Sequence, residues 1–326
     1  MRDVYGLSVS LRGGIDLGGT KIEAVVVDDR NEVLGSARYE TPRVGGPHDV
    51  VRELAAALRE AASAAGVEPR ALAGVGVGSP GEVDVAAGTV SRASNLPDWD
   101  GTFPLAESLA TELGIRVAVG NDVRVAVEAE RVLGAGRTYR SFLGVWWGTG
   151  IGGAVVPDGR LWLGRGSAGE LGHVVVRMHG ARCPCGRRGC LEAYAGRAAM
   201  EARAHRAVAK GAKTDLFQLM KKRNRDRLTS GVWAAALEHE DELAVRLVNR
   251  AVAALGAGVA SAINLLDLDA VVVGGGLGTR FGEPVAARIA KAMRPHLFVP
   301  DRPPAVVTTE LGDTGGALGA ALIATS

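Results

Sequence analysis

At 326 residues, 47% of them hydrophobic and 23% charged, the chain is long enough for two ordinary domains and apolar enough to bury a sizeable core. That balance excludes global disorder, and a formal net charge of +2 neither requires nor excludes an anionic partner. Residues 1–12 form a short lead of mixed character, far too short for a winged-helix DNA-binding module. They also lack the charged, apolar and small-residue regions of an export signal.

Gly14-Ile15-Asp16-Leu17-Gly18-Gly19-Thr20-Lys21 then runs into the apolar residues 22–27, which predicts strand, tight glycine turn, strand: a β-hairpin with a polar tip. Gly18 and Gly19 let the backbone approach a ligand closely, and Thr20 adds a hydroxyl. Asp16, at the end of the first strand, can hold a hydrated Mg²⁺, since hard cations prefer oxygen ligands. The segment is not a Walker A loop, which ends in Gly-Lys-Ser/Thr before a helix. Residues 33–41 read as a third strand, and residues 48–65 as a helix with Val51, Leu54, Ala55 and Leu58 at helical spacing. Residues 72–78 predict a buried strand that turns at Ser79-Pro80-Gly81. In the next loop Asn95 reads, by residue type, as a turn residue. Residues 114–119 predict another buried strand. At its carboxyl end Asn121 or Asp122 either caps the following helix or faces a ligand, as strand ends of α/β sheets do. That helix carries Val123, Val127 and Val132 on its apolar face, with Glu128 and Glu130 outward.

The plan of residues 14–27 returns at residues 141–156, where an apolar strand turns at Gly148-Thr149-Gly150 and continues as a second strand. The echo predicts two domains of similar plan, each with its own glycine and threonine turn. The most informative stretch follows, residues 169–192, GELGHVVVRMHGARCPCGRRGCLE. All three cysteines of the chain, Cys183, Cys185 and Cys190, fall inside it, with His173 ten residues before the first. Three thiolates and an imidazole suit tetrahedral Zn²⁺, and four protein ligands leave no open position for a catalytic water, so the site reads as structural. Cys183 and Cys185 are poorly placed for a disulfide with each other. A metal-type cysteine pattern with neither export signal nor disulfide framework points to the cytoplasm.

An Ala-rich helical stretch follows to about residue 209. The basic run at residues 221–227 lacks interleaved aromatics and reads as a solvated helix end or loop rather than a nucleic-acid patch. Residues 240–266 predict a long helix with a core face at Leu243, Leu247, Val252, Leu255 and Val259. Its apolar run, residues 251–266, is short for a membrane span and contains Ser261 and Asn264, so it reads as a core helix. A buried strand at residues 271–273 enters Gly274-Gly275-Gly276, a turn that can lie flat under a purine ring or simply reverse the chain. Residues 305–309 read as a last strand and residues 315–323 as a helix.

The sequence G-E-x-G-H at 169–173, followed by C-x-C-G-x-x-G-C-x-E at 183–192, resembles the signature of the ROK family of sugar kinases and sugar-responsive repressors. D-x-G-G-T at 16–20 resembles the first phosphate loop of the actin-like sugar kinase superfamily that includes this family. The segment N-L-P-x-W at 95–99 resembles a family sugar loop. The resemblance spans about residues 13–325. It implies an α/β, two-domain actin-like (ribonuclease H-like) fold with the active site in the interdomain cleft. The smaller domain would comprise residues 1–119 plus a returning C-terminal helix at about 314–326, and the larger one residues 120–313. It further implies ATP-dependent phosphorylation of a hexose, with glucose the leading acceptor and Asp122 the general base. Sugar contacts would come from Asn95, Asn121, Asp122, Glu170, His173 and Glu192. Asp16, Gly18, Gly19, Thr20 and Lys21 would form the first phosphate loop, Thr149 and Gly150 the second, and Gly274, Gly275 and Gly276 the adenosine site. Mg²⁺ would accompany ATP, and structural Zn²⁺ would sit on His173, Cys183, Cys185 and Cys190. The expected assembly is a homodimer or homotetramer, with no nucleic-acid or membrane partner.

One departure is local: the family commonly follows its Asn-Asp pair with Ala-Asn, whereas this chain has Val123-Arg124. Fructose, mannose, N-acetylmannosamine and N-acetylglucosamine are alternative acceptors. A sugar-responsive regulator of the same family needs a DNA-binding module before the first phosphate loop, and only 15 residues precede Asp16. Polyphosphate-dependent members tend to lack the cysteine cluster, and the intact triple glycine favours ATP.

Overall fold

The computed structural model describes residues 10–93 and 95–325, so most of the lead segment and Ser94 lie outside the described residues. The chain divides into two compact units, residues 1–134 with 313–326, and residues 135–312. The division therefore falls at Gly134, not at 119, and the Asn121-Asp122 pair travels with the first unit.

In the first unit β1 (Arg12–Leu17) and β2 (Lys21–Val27) form the expected antiparallel hairpin, extended by β3 (Val33–Glu40). β2 is buried on both faces from Ile22 onward, which matches its unbroken apolar run. α1 (Pro47–Ala64) opens with proline in its first turn and buries Val51, Leu54, Ala55 and Leu58 along one stripe. β4 (Val75–Ser79) lies parallel to β1, beginning three residues later than its glycine-rich sequence suggests. Three short strands, β5 (Glu82–Asp84), β6 (Thr89–Ser91) and β7 (Thr102–Phe103), then make a small antiparallel sheet. α2 (Leu105–Leu113) stops at Gly114, whose φ of 69° is the left-handed cap that glycine supplies. β8 (Val117–Asn121) and α3 (Asp122–Val132) complete this part, giving the sheet order β3-β2-β1-β4-β8.

The second unit repeats the scheme. β9 (Phe142–Trp147) and β10 (Ile151–Val156) form an antiparallel hairpin. Residues 169–190 carry no strand, only a short 3₁₀ turn at Leu171–His173 and isolated bridges. The helices α4 (Glu192–Ala195), α5 (Arg197–Val208), α6 (Leu216–Lys222), α7 (Ser230–Glu238) and α8 (Glu242–Leu266) follow. β11 (Ala270–Gly274) runs parallel to β9, α9 (Gly275–Met293) leads back, and β12 (Ala305–Thr308) pairs in parallel with β11. The order β10-β9-β11-β12 thus matches β2-β1-β4-β8 strand for strand and sense for sense, so the echo between the two glycine turns is an echo of whole sheets. α8 is long and apolar enough to cross a membrane by composition alone, but it buries Leu243, Leu247, Val252, Leu255 and Val259 in the core of this unit. The basic run ends α6 and continues as an exposed loop, as its composition predicts.

The final helix, α10 (Gly315–Ile323), returns to the first unit and packs on β1, β4 and α3. Its small residues allow backbone-to-backbone approach: a Cβ added at Gly319 would collide with the Val125 carbonyl. The same packing corrects one expectation. Glu130 does not point outward but is 1% exposed. A second correction concerns the triple glycine, which opens α9 instead of making a simple reversal. That helix escaped the sequence pattern because three glycines, a kink at Gly282 (φ 60°) and Pro284 mask it.

Candidate functional site

In the first unit the hairpin turn 18–20 is closed by Gly18 N–H donating to the Lys21 carbonyl at 2.9 Å, and Thr41 Oγ1 donates to the Gly18 carbonyl at 2.6 Å. Gly19 and Thr20 stay exposed at the tip. Lys21 Nζ lies 2.9 Å from Glu23 Oε2 and 3.3 Å from Asp313 Oδ2, so Lys21 is held by carboxylates of its own unit. Glu23, which sequence reasoning missed, is 5% exposed and also receives Arg38 at 3.0 Å. Its apolar strand gave no hint of it. Asn95 is exposed, and a Cβ on Gly19 would lie 3.0 Å from its carbonyl oxygen, so the sugar-loop candidate adjoins the glycine turn.

Asp16 faces Glu23 across the hairpin, and the first turn of α10 closes over it: a Cβ on Gly316 would sit 2.6 Å from its Cγ. Burial pushes this carboxyl up to about 7, helped next by the negative charge of Asp122 and opposed by Lys21. Gly78 of β4 lies between the two aspartates, 3.5 Å from Asp122 Cα and 3.9 Å from Asp16 Oδ1 when measured from an added Cβ. Asn121 is the N-cap of α3, its Oδ1 accepting from Arg124 N–H at 3.2 Å. Asp122, at the first helical position, accepts on Oδ1 from Val123 N–H at 2.9 Å and from Asn121 Nδ2 at 3.0 Å. Capping thus falls to Asn121 rather than to Asp122.

The raised Asp16 carboxyl has a stability consequence. The folded chain keeps this proton up to about pH 7, while an ordinary carboxyl, at 3.8, has already lost it. Folding therefore takes up a proton between about pH 4 and pH 7, and stability falls as pH rises through that window. Asp16→Asn removes the titrating group and should flatten that fall. Thermal melts of both proteins across the window check this, and equal slopes would contradict it.

In the second unit the turn 148–150 is closed by Gly148 N–H donating to the Gly150 carbonyl at 3.0 Å. Glu192, first residue of α4, accepts from Ile151 N–H at 2.9 Å, and any side chain at Gly150 would collide with its carboxylate. Thr149 Oγ1 accepts from Arg197 Nη2 at 2.7 Å. Arg197 also escaped sequence reasoning, since nothing in its Ala-rich helix marks it. Of the triple glycine, Gly274 packs on Trp146 and Thr309, and Gly275 (φ 77°) on the Trp147 backbone, one residue before the turn. Only Gly276 faces open space, with Ser230 Oγ 3.9 Å from an added Cβ. Glu170 is exposed and sits one turn before His173, whose N–H donates to the Glu170 carbonyl at 3.0 Å.

His173, Cys183, Cys185 and Cys190 bring one donor atom each within 4.8 Å of the others. Cys185 Sγ and Cys190 Sγ are 3.7 Å apart, close to the edge of about 3.8 Å that a tetrahedron with 2.3 Å metal–sulfur bonds requires. His173 Nδ1 is buried with no hydrogen-bond partner, the state of an imidazole nitrogen meant for a cation. Glu192 Oε1 lies 3.9 Å from Cys183 Sγ, so the four-donor cluster, Glu192 and the second glycine turn are contiguous. The donor set fits a metal ion.

Several known proteins are similar to this chain over nearly its whole length. The chain is 34% identical over 315 residues to a glucokinase of Thermotoga maritima, covering 95% of this chain and 96% of that one. It is 34% identical to an N-acetylgalactosamine kinase of Shewanella sp., over 95% of each chain. Among solved structures, a ROK family glucokinase from Streptomyces griseus in complex with glucose and AMPPNP superimposes with a TM-score of 0.81 at 32% identity, over 97% of this chain and 99% of that one. The α/β architecture is that of the ROK sugar kinases. With the ROK family pattern matched over residues 12–326, the chain belongs to the ROK family.

Proposed function

We propose that the chain is an ATP-dependent hexokinase that transfers the γ-phosphoryl group of ATP to a hydroxyl of glucose, giving glucose 6-phosphate. The observation that carries this reading is the division of labour at Asn121-Asp122. Asn121 caps the helix, which leaves Asp122 as a carboxylate at a strand end with Asp16 as its electrostatic neighbour. The glucokinase relatives, similar over nearly the whole chain, support the same activity.

The hydroxyl of a sugar is a very weak acid, so the attacking oxygen gains from a carboxylate that accepts its proton as the new bond forms. Asp122 takes that role. Asn95, Asn121, Glu170, His173 and Glu192 orient the sugar hydroxyls. The exposed tip of Gly19 and Thr20, with Thr149 in the second turn, offers hydroxyl and backbone donors to the phosphates, and Gly276 leaves room for the adenosine. Asp16 would hold Mg²⁺, which when bound neutralises charge on the transferring phosphate. His173, Cys183, Cys185 and Cys190 would hold Zn²⁺, which fixes the loop carrying Glu170 and Glu192. Free cysteines and a need for ATP support a cytoplasmic enzyme.

A second acceptor class has its own support in the N-acetylgalactosamine kinase relative. An ADP-release assay over glucose, fructose, mannose and N-acetylated hexosamines tests both. The highest kcat/KM is expected with glucose; a higher value with an N-acetylhexosamine moves the acceptor, and no release with any sugar rejects the kinase.

The contact between Gly150 and Glu192 makes a further distinction. A valine at Gly150 displaces the Glu192 carboxylate as well as crowding the turn. Gly150→Val is therefore expected to raise the glucose KM about tenfold or more, alongside its effect on ATP. Steady-state kinetics varying each substrate check it, and an unchanged glucose KM would separate Glu192 from sugar binding.

A further inference from the structure

Thr149 is the only hydroxyl in the second glycine turn, and its oxygen already has a fixed partner. Arg197 Nη2 donates to Thr149 Oγ1 at 2.7 Å. A guanidinium has no acceptor, so in this pair Thr149 must accept, and its own proton is left to donate elsewhere. The backbone reinforces the arrangement: Arg197 N–H donates to the Gly148 carbonyl and Ala198 N–H to the Thr149 carbonyl, each at 3.1 Å. The turn is thus tied to the start of α5 by one side-chain and two main-chain bonds.

The other half of the Arg197 guanidinium faces the entry to α7. Nη1 donates to the Leu228 carbonyl at 3.0 Å, while Leu228 N–H donates to Glu201 Oε1 at 3.0 Å. Arg197 and Glu201 themselves approach only to 3.9 Å, a loose pair. The Arg197 side chain is 11% exposed, and burial, then the neighbouring Arg227 cation, lowers its affinity for a proton. A mostly buried cation beside a second cation, with one distant carboxylate, is short of negative charge. Nucleotide phosphates would supply it.

We propose that Arg197 is a positioning residue for the nucleotide: by donating to Thr149 it turns the hydroxyl proton of Thr149 toward a phosphate oxygen and braces the second glycine turn against the α7 entry. This rests on the kinase reading above and adds a residue to it. A purely structural Arg197, serving only to cap Leu228, would lower stability without separating the two substrates.

The test compares wild type with Arg197→Met, Arg197→Lys, Thr149→Val and the Arg197→Met/Thr149→Val double variant. Calorimetry reads the affinity for a non-hydrolysable ATP analogue and, separately, for glucose. Arg197→Met is expected to weaken the analogue about tenfold and leave glucose within about twofold. Arg197→Lys should fall between, since one ammonium cannot hold both Thr149 and Leu228 in a planar fork. The double variant should be no worse than the weaker single variant, because both break the same contact. Equal losses for the two ligands, an unchanged analogue affinity, or additive losses would overturn the proposal. If Arg197→Met does not fold, Thr149→Ser against Thr149→Val decides, since serine keeps the hydroxyl that Arg197 orients. Wild type failing to bind the analogue would instead reject the kinase reading itself.

Discussion

Asp122→Asn is expected to lower kcat by about 10² to 10⁴ while the dissociation constant for glucose stays within several-fold, the signature of an interaction made mainly in the transition state. The structure sharpens why the change should be so selective. Asn121, not Asp122, caps α3, and the bonds that Asp122 Oδ1 accepts from Val123 N–H and Asn121 Nδ2 can be kept by an amide oxygen. What asparagine cannot do is take a proton. It also removes a negative charge from the first turn of α3, where the helix dipole favours one, a loss of about 0.3–1 kcal/mol. Against that, a 10² to 10⁴ drop in rate corresponds to about 2.7–5.4 kcal/mol of barrier. The catalytic effect should therefore dwarf the structural one, with melting temperature falling slightly and turnover collapsing. Measuring kcat, glucose affinity and melting temperature on one variant separates the roles. Near-normal turnover would remove Asp122 from the chemistry.

Legibility of this chain in its sequence followed the physics of each segment. Strands whose burial is continuous, such as β2 and β11, announce themselves as apolar runs, and α1 and α8 by a periodic stripe. The glycine turns and the cysteine cluster were legible because their residue types are rare outside such roles. Hidden from view were features that depend on what packs later. Glu130 looks solvent-facing on its own helix, yet α10, nearly two hundred residues on, comes to lie against α3. α9 begins with three glycines and contains a proline, so local propensity argues against it while tertiary packing of Leu277, Val285 and Ile289 sustains it. Arg197 and Glu23 show the same limit at the site: each matters through partners far off in sequence or across a hairpin, and neither carries a motif.

Cys185→Ser should behave unlike any ordinary surface substitution. Cys185 is exposed, and replacing an exposed thiol by the near-isosteric hydroxyl usually changes stability by no more than about 0.5 kcal/mol. If Cys185 is one of four zinc ligands, the cost is set by the metal. Apart from the cluster, the segment it belongs to is held by turn and bridge hydrogen bonds and by Leu171 and Val176 on the core of its unit. Residues 169–190 form no regular strand, and the satellite core beneath them consists of Cys183, Cys190, Ala193 and Tyr194. Burial pushes the Cys183 thiol up to about 12, so without a cation that sulfur stays protonated, and a divalent ion is what makes a thiolate favourable there. Metal binding and local order are then one event. Loss of the ion frees the loop that carries Glu170 and, through Cys190 and Leu191, the start of α4 at Glu192. The expected result is about one zinc per chain in wild type and almost none in Cys185→Ser. A lower melting temperature and a glucose KM raised about tenfold or more should accompany the loss, with the ATP KM changed far less. Chelation of wild type should reproduce the same pattern, and zinc should reverse it. Elemental analysis with kinetics on both proteins decides the matter: a zinc-free wild type of full activity, or a silent Cys185→Ser, would leave the three cysteines as plain thiols.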